Sequence, residues 1–124
     1  MRIFNFDKDS GREITNFDSK DAIFSRIIQH NKPIHIGCFH IGSEGVVGSH
    51  PAAVHQLFLV LNGQGWVVGK EGIQYRIQSG RAAYWEPEEI HESGSEEGMT
   101  VIVIIVIEGE DLEPMMTEIE WLEG

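Results

Sequence analysis

The chain has 124 residues, a length typical of one domain, and its 41% hydrophobic and 23% charged residues are ordinary globular usage, which argues against disorder. Its formal net charge of -11 repels polyanions and no local cluster of Lys and Arg offsets it, so we expect neither nucleic acid nor an anionic membrane as a partner. A count of 14 glycines favours a turn-rich β protein.

The first residues and the single cysteine bear on location. The opening MRIFNFDKDSG lacks the charged and apolar regions of a secretory signal, and the longest apolar run, Val101 to Ile107, is far below the roughly 20 residues that span a bilayer. Cys38 has no second cysteine to pair with, which agrees with a reducing compartment. We therefore expect a cytoplasmic protein in which Cys38 is a small buried hydrophobe.

Short runs of strand-forming residues recur between turn signals along the whole chain. They cover residues 23–29, 33–41, 54–61, 65–69, 73–77, 82–85 and 99–107. This rhythm predicts an all-β fold, an antiparallel sandwich or barrel, and we place a single domain over residues 1–124.

Turn residues separate several of these runs. An Asn-Gly pair at 62–63 directly follows an apolar run, and Lys-Glu-Gly at 70–72 lies between two strand-like runs, so we predict a hairpin at each position. The tail, residues 110–124, is predicted to be either a short helix or an edge strand that places Trp121 on the body.

The run TVIVIIVIEG, residues 100–109, is apolar at consecutive positions. Alternation would indicate one buried face, whereas a continuous run predicts that both faces of the strand are covered. One face is expected to look into the barrel. The other is expected to meet a second sheet or a partner subunit.

Two distant histidines are predicted to line one interior. Residues two apart in an extended strand share a face, so an inward Gln56 places His50 on the same side. His55 then points outward. Because His91 follows the next proline turn and precedes a new run, we expect it to reach the same pocket from another segment.

At these residues the sequence resembles the cupins, small β-barrels with two short motifs on neighbouring strands. The first motif is a Gly, then His-x-His, a Glu and a closing Gly. His50 and Gly63 match the first His and the closing Gly, whereas Glu44, Ala52 and Gln56 replace the opening Gly, the second His and the Glu.

The second cupin motif is a Gly, then Pro-x-Gly, a His and an Asn. Gly80 and His91 match in register, whereas Glu86, Glu88 and Ser95 replace the Pro, the Gly and the Asn. The resemblance covers about residues 39–107. It implies an RmlC-like antiparallel jelly-roll β-barrel with at most a short helix near the C-terminus.

The resemblance also implies a site in the barrel for a small molecule and for a divalent metal. His50, Gln56 and His91 are the candidate ligands of one ion of Fe, Mn, Zn or Ni. Gln56 offers a neutral amide oxygen where the family has a carboxylate. The candidate replacements are Glu89, two residues before His91, and Glu44, Glu86 or Glu92 if the loop that carries them folds inward. The candidate contacts of a small-molecule ligand are His50, Gln56, His91, His40, Phe58 and Trp85.

The fold alone does not name a reaction, because cupins range from dioxygenases and isomerases to sugar-binding proteins. The first hypothesis is a small-molecule-binding cupin whose site also takes a divalent metal. The alternatives are a metal-dependent enzyme of the dioxygenase or isomerase type, a metal-free barrel that binds a sugar or an organic acid, and a structural barrel. We expect a homodimer, because the doubly apolar strand offers an outer face to a second subunit.

Overall fold

A computed structural model describes residues 1–107 and 111–122, so the ends of the predicted run 100–109 and of the tail lie outside the described residues. Almost all regular structure is antiparallel β. The strands are β1 (Arg2–Asn5), β2 (Arg12–Ile14), β3 (Ala22–Phe24), β4 (Ile34–Ile41), β5 (Gly45–Pro51), β6 (Gln56–Val68), β7 (Gln74–Gln78), β8 (Arg81–Trp85), β9 (Ile90–Ser95), β10 (Met99–Val106) and β11 (Thr117–Ile119). Two single-turn 3-10 helices lie at Lys8–Ser10 and Asn16–Asp18. Over the described ranges, no helix is long and apolar enough to cross a membrane.

Strand β6 belongs to two facing sheets. Its first half pairs with β8 and β10, and its second half pairs with β7 and β9. The first sheet has the order β11-β1-β8-β6-β10-β4, and the second has the order β7-β6-β9-β5. This is the antiparallel jelly roll that the sequence predicts, and β2 and β3 form a separate hairpin.

The predicted hairpin at 62–63 is wrong, because β6 runs through it as one strand of 13 residues. Gly63 has a φ of +86°, and the pairing of β6 with β10 shifts register between Thr100 and Val101. A bulge of this kind bends a strand, which carries β6 from one sheet into the other. The predicted turn at 70–72 is confirmed, since it joins β6 to β7 and Gly72 has a φ of +72°.

The space between the sheets is an apolar core. Side chains from both sheets contribute to it, and they include Phe58, Val60, Val67, Trp85 and Val101, all almost fully buried. Burying each such side chain contributes about 2 kcal/mol to stability. The core therefore fixes which residues of each strand point inward.

Both faces of β10 are covered, as predicted, but the chain covers the outer face itself. Leu112 is buried there against Ile104 and Val106, and Ile28 packs at the rim of the same cluster. Backbone hydrogen bonds between residues 27–29 and 113–115 hold these covering segments together. The outer face of β10 is therefore not the surface on which a second subunit would be expected.

Tyr84 anchors one covering segment to the sheet. Its hydroxyl donates to Asp111 Oδ1 at 2.7 Å and accepts the N–H of Leu112 at 3.3 Å. A hydroxyl has one proton, so the 2.8 Å contact with His55 is donated by Nδ1–H of His55. Burial and the bond to Asp111 raise the pKa of Tyr84. His55 points outward, as predicted.

The tail takes the edge-strand alternative, with β11 paired to β1. Trp121 lies on the body as predicted, because its indole N–H donates to the carbonyl of Met1 at 3.2 Å and its ring contacts Tyr75. At the opposite edge of the sheet, Cys38 on β4 is exposed. The expectation of a buried cysteine is wrong, because β4 is an edge strand with little packed against it.

Candidate functional site

His50 and His91 meet where β5 pairs with β9. The two residues are cross-strand partners, and their ring centroids are 4.3 Å apart with the rings tilted by 56°. His91 is buried and His50 is exposed, so the pair runs from the core to the surface. Neither β5 nor β9 was predicted, because GVVGSHP carries two glycines and a proline and IHESGS is mostly polar.

The backbone fixes which ring nitrogen of each histidine is free. His50 Nδ1 lies 2.6 Å from the carbonyl of Gly48, and His91 Nδ1 lies 3.2 Å from the carbonyl of Glu89. A carbonyl only accepts hydrogen bonds, so Nδ1–H is the donor in both contacts. In the neutral rings, both Nε2 atoms therefore keep a lone pair for a ligand or a metal ion.

The ring of His91 is buried, and protonating a buried ring is costly. Burial is therefore the main cause that lowers the pKa of His91, and the neighbouring His50 lowers it further. His91 is consequently neutral at neutral pH and acts as a hydrogen-bond acceptor.

Trp85 forms the inner wall of the site. Its ring stacks on His91 with centroids 4.3 Å apart and an angle of 29°, and the edge-on ring of Phe58 supports it from the core. The indole Nε1–H is buried and has no hydrogen-bond acceptor among the described residues. A buried unpaired donor costs free energy, and here the surrounding side chains cover the N–H completely, so Trp85 contributes to the site as an aromatic wall.

Gln56 lies on the same inner row as Trp85. It pairs in register with Trp85 on one side and with Ile105 on the other, and partners in a sheet share a face. The half-buried amide therefore adds one donor and one acceptor group beside the aromatic wall.

The structure does not bring His40 to this pair. His40 pairs with Thr100 on the outer side of β4 and lines a separate pocket of about 270 Å³ with Asn62. His35 pairs with Ile105 and thus lies on the inner row with Gln56. Sequence reasoning missed His35 because IHIGCFHI carries a histidine in both alternating sets of positions.

The carboxylate of Glu89 uses both oxygens in hydrogen bonds to the protein itself. Oε1 accepts the N–H of Glu86 at 3.0 Å, and Oε2 accepts the N–H of Lys70 at 2.9 Å and the ammonium of Met1 at 2.7 Å. Burial alone would raise the pKa of Glu89, but these bonds outweigh it and hold that pKa below its ordinary value. The carboxylate thus braces the turn before His91, at a pocket of about 630 Å³.

The donor set does not complete a metal site. Within residues 1–107 and 111–122, no group of three His, Cys, Asp or Glu side chains lies close enough to hold one ion. Catalytic zinc sites have three protein ligands. Here the imidazoles of His50 and His91 are two, and Glu89 is committed elsewhere.

Comparison with known proteins identifies the architecture through structure alone. No protein-family model matches the chain, and no curated protein matches it in sequence. An RmlC-like cupin from Shewanella frigidimarina is 17% identical, with 66% of this chain and 73% of that chain covered and a TM-score of 0.58. A cupin superfamily protein from Desulfitobacterium hafniense is 13% identical, with 73% and 82% covered and a TM-score of 0.57.

A larger enzyme contains a similar unit. Salicylate 1,2-dioxygenase from Pseudoaminobacter salicylatoxidans, in an adduct with gentisate, is 12% identical, with a TM-score of 0.56. The match covers 59% of this chain and 20% of the dioxygenase. These similarities concern the fold, and the chemistry of this chain depends on its own residues.

Proposed function

We propose, starting from the cupin fold that this chain shares with those structures, that it binds a small neutral polyhydroxyl compound of the sugar type. The site consists of His50, His91, Gln56 and Trp85. The observation that carries the proposal is that both imidazoles use Nδ1–H on backbone carbonyls, which leaves two adjacent Nε2 acceptors.

Acceptors and donors at the site match those of a polyhydroxyl ligand. Hydroxyl protons can be donated to Nε2 of His50 and of His91, and hydroxyl oxygens can accept an N–H of the half-buried Gln56 amide. Gln56 can donate and accept. Such convergent polar groups beside aromatic walls are typical of small-molecule sites.

Charge favours a neutral ligand over an organic acid. The chain has a formal net charge of -11, and Glu86, Glu88 and Glu92 line the pocket beside His91, where Lys70 is the one basic residue among the lining side chains. A carboxylate ligand would be repelled by this field. Neutral His91 offers no compensating charge.

A metal-dependent enzyme of the dioxygenase or isomerase type is the second candidate. One observation favours it: metal-ligating histidines in proteins commonly donate the other ring N–H to a carbonyl, as His50 and His91 do. In that case the ion would be Fe, Mn, Zn or Ni, with Gln56 as the third ligand. The incomplete donor set places it second.

A thermal-shift panel tests the leading proposal. We expect neutral sugars and sugar alcohols to raise the melting temperature, and their acid counterparts, such as glucuronate beside glucose, to have little effect. His91→Ala should abolish the shift. His40→Ala, a histidine on the outer face, is the matched control and should retain it. Stabilisation by the acids alone, or by no compound in the panel, would contradict the proposal.

We infer that the expected homodimer uses the β2–β3 hairpin. Phe17 at its tip is 96% exposed with a φ of +60°, which is a strained conformation for a bulky residue. Phe17, Phe24, Arg12 and Arg26 line a groove of about 760 Å³, and neither arginine has an ion pair among the described residues. A second copy of this acidic chain offers the complementary charge.

The state of the single cysteine bears on the cellular location of the protein. Cys38 is an exposed free thiol on an edge strand, a state that a reducing environment preserves. We propose a cytoplasmic location on this ground.

A further inference from the structure

We propose that Tyr84 and His55 are positioning residues, which hold the amide of Gln56 in place for the ligand from the opposite face of the sheet. Neither side chain touches the ligand, so the effect of both on binding passes through Gln56. This inference rests on the proposed function and adds two residues to the site on which that function depends.

The amide of Gln56 has no anchor of its own. Gln56 is the first residue of β6 and is half-buried, and among the described residues no side-chain hydrogen bond involves its amide. Trp85 beside it differs, because its ring stacks on His91 and is supported by Phe58. The end of a strand opens more readily than its middle. The place of Gln56 therefore depends on what fixes the backbone where β6 begins.

His55 fixes this point of the chain through both its side chain and its backbone. Its Nδ1–H donates to the hydroxyl of Tyr84 at 2.8 Å, and its carbonyl accepts the N–H of Val106 at 3.2 Å. Successive residues of an extended chain point to opposite faces, so the ring of His55 lies outside while Gln56 points inward. The two bonds therefore restrict the backbone from which the amide of Gln56 projects.

Tyr84 is a rigid partner for His55. It pairs with Leu57, the second residue of β6, and it is 1% exposed within the apolar cluster on the outer face of the sheet. Its hydroxyl also donates to Asp111 and accepts the N–H of Leu112. These bonds use the one proton and both lone pairs of the hydroxyl. The segment that covers the outer face is thus connected to the start of β6 through one oxygen atom.

Removing one hydroxyl tests the inference by isothermal titration calorimetry with methyl β-glucoside. Tyr84→Phe keeps the ring that fills the outer cluster. It should bind this sugar about ten-fold less tightly than the parent, because the ligand itself must then order Gln56. Tyr75→Phe is the matched control on β7. It removes a hydroxyl that accepts a hydrogen bond from Arg81 at 2.7 Å, and the affinity should stay unchanged.

Two variants of His55 give a second comparison that does not depend on the folding of Tyr84→Phe. His55→Asn places an amide N–H close to the position of Nδ1–H and should keep the affinity of the parent within about two-fold. His55→Leu cannot donate a hydrogen bond to Tyr84. It should lose about as much affinity as Tyr84→Phe.

A double-mutant cycle separates positioning from a general loosening of the fold. In a Gln56→Ala background, Tyr84→Phe should hardly lower the affinity further, because the amide that Tyr84 positions is gone. A purely structural role of Tyr84 would lower the affinity by the same factor in both backgrounds.

The outcomes separate this inference from the proposed function. Unchanged affinity in folded Tyr84→Phe or in His55→Leu, or an equal loss with and without Gln56, would overturn the positioning role and leave the polyhydroxyl site intact. A parent protein that binds neither methyl β-glucoside nor any other neutral sugar would overturn the proposed function and this inference with it.

Discussion

The imidazole of His50 reaches the imidazole of His91 across a β-bulge. The register between β5 and β9 shifts between Val47 and His50, and the Nδ1–H of His50 folds back onto the carbonyl of Gly48 inside that bulge. The backbone irregularity thus orients an exposed histidine toward a buried one. This relationship creates the pair of Nε2 acceptors on which the proposed site depends.

Stability should fall with acidification in a range set by His91. Burial lowers the pKa of folded His91, so as the pH falls below about 6.5 the unfolded chain takes up the proton first. The free energy of unfolding should therefore decrease from about pH 6.5 down to the lowered pKa of the folded state. Melting temperatures measured against pH should show this decline, and His91→Asn should flatten it. Equal slopes for both proteins would contradict the assignment.

Replacing Glu89 should destabilise the fold. Glu89→Gln keeps the size of the side chain but removes a buried charge that accepts three hydrogen bonds, at a cost of about 3 kcal/mol. Urea unfolding would measure the loss. Glu96→Gln is the control, because Glu96 pairs with Arg76 on the surface and the midpoint should hardly move. A Glu89→Gln midpoint equal to that of the parent would contradict the bracing role.

The protein should carry little tightly bound metal. Two imidazoles without a carboxylate give a weak donor set, so protein purified without chelator or a metal-affinity tag should contain well below one ion per chain. Elemental analysis measures this content, and chelator treatment should leave sugar binding unchanged. Near-stoichiometric Fe, Mn, Zn or Ni would favour the metal-dependent enzyme instead.

The hairpin should control the oligomeric state. A variant with both Phe17→Ser and Phe24→Ser removes the exposed aromatic surface of the hairpin and should be monomeric where the parent is dimeric. Light scattering at micromolar concentration measures this difference. Ile73→Ser, at a similarly exposed apolar residue of another turn, should leave the dimer intact. A monomeric parent protein would remove the dimer proposal altogether.

Much of the architecture follows from the sequence, because the buried faces of a strand determine the pattern of apolar residues along it. Consecutive apolar residues in β10 indicate two covered faces, and the register of two short motifs predicts that His50 and His91 lie together. Their ring centroids are 4.3 Å apart, with His91 buried and His50 exposed. The Asn-Gly pair at 62–63 misleads because glycine at positive φ serves a bulge inside a strand as well as a hairpin. Tertiary pairing decides between the two.

The rest of the site depends on information that no local pattern contains. His35 and His40 lie on opposite faces of β4, and the register with β10 decides which of them faces inward. The sequence of β4 does not distinguish the two registers, because each face carries one histidine. Glu89 is similarly ambiguous, because its partners are the backbone at Lys70 and the ammonium of Met1, which are far away in the chain. The sequence shows only that Glu89 is near His91. The fold shows that its carboxylate accepts hydrogen bonds within the turn before His91 and from Met1.

NMR spectroscopy of the histidine ring nitrogens tests the central claim most directly. In their neutral forms, His50 and His91 should both carry their proton on Nδ1, as the two carbonyl contacts require. During titration with methyl β-glucoside, the Nε2 signals of both should shift with one common dissociation constant, while those of His40 stay fixed. Protons found on Nε2, or Nε2 signals that do not respond while the sugar binds, would contradict the account.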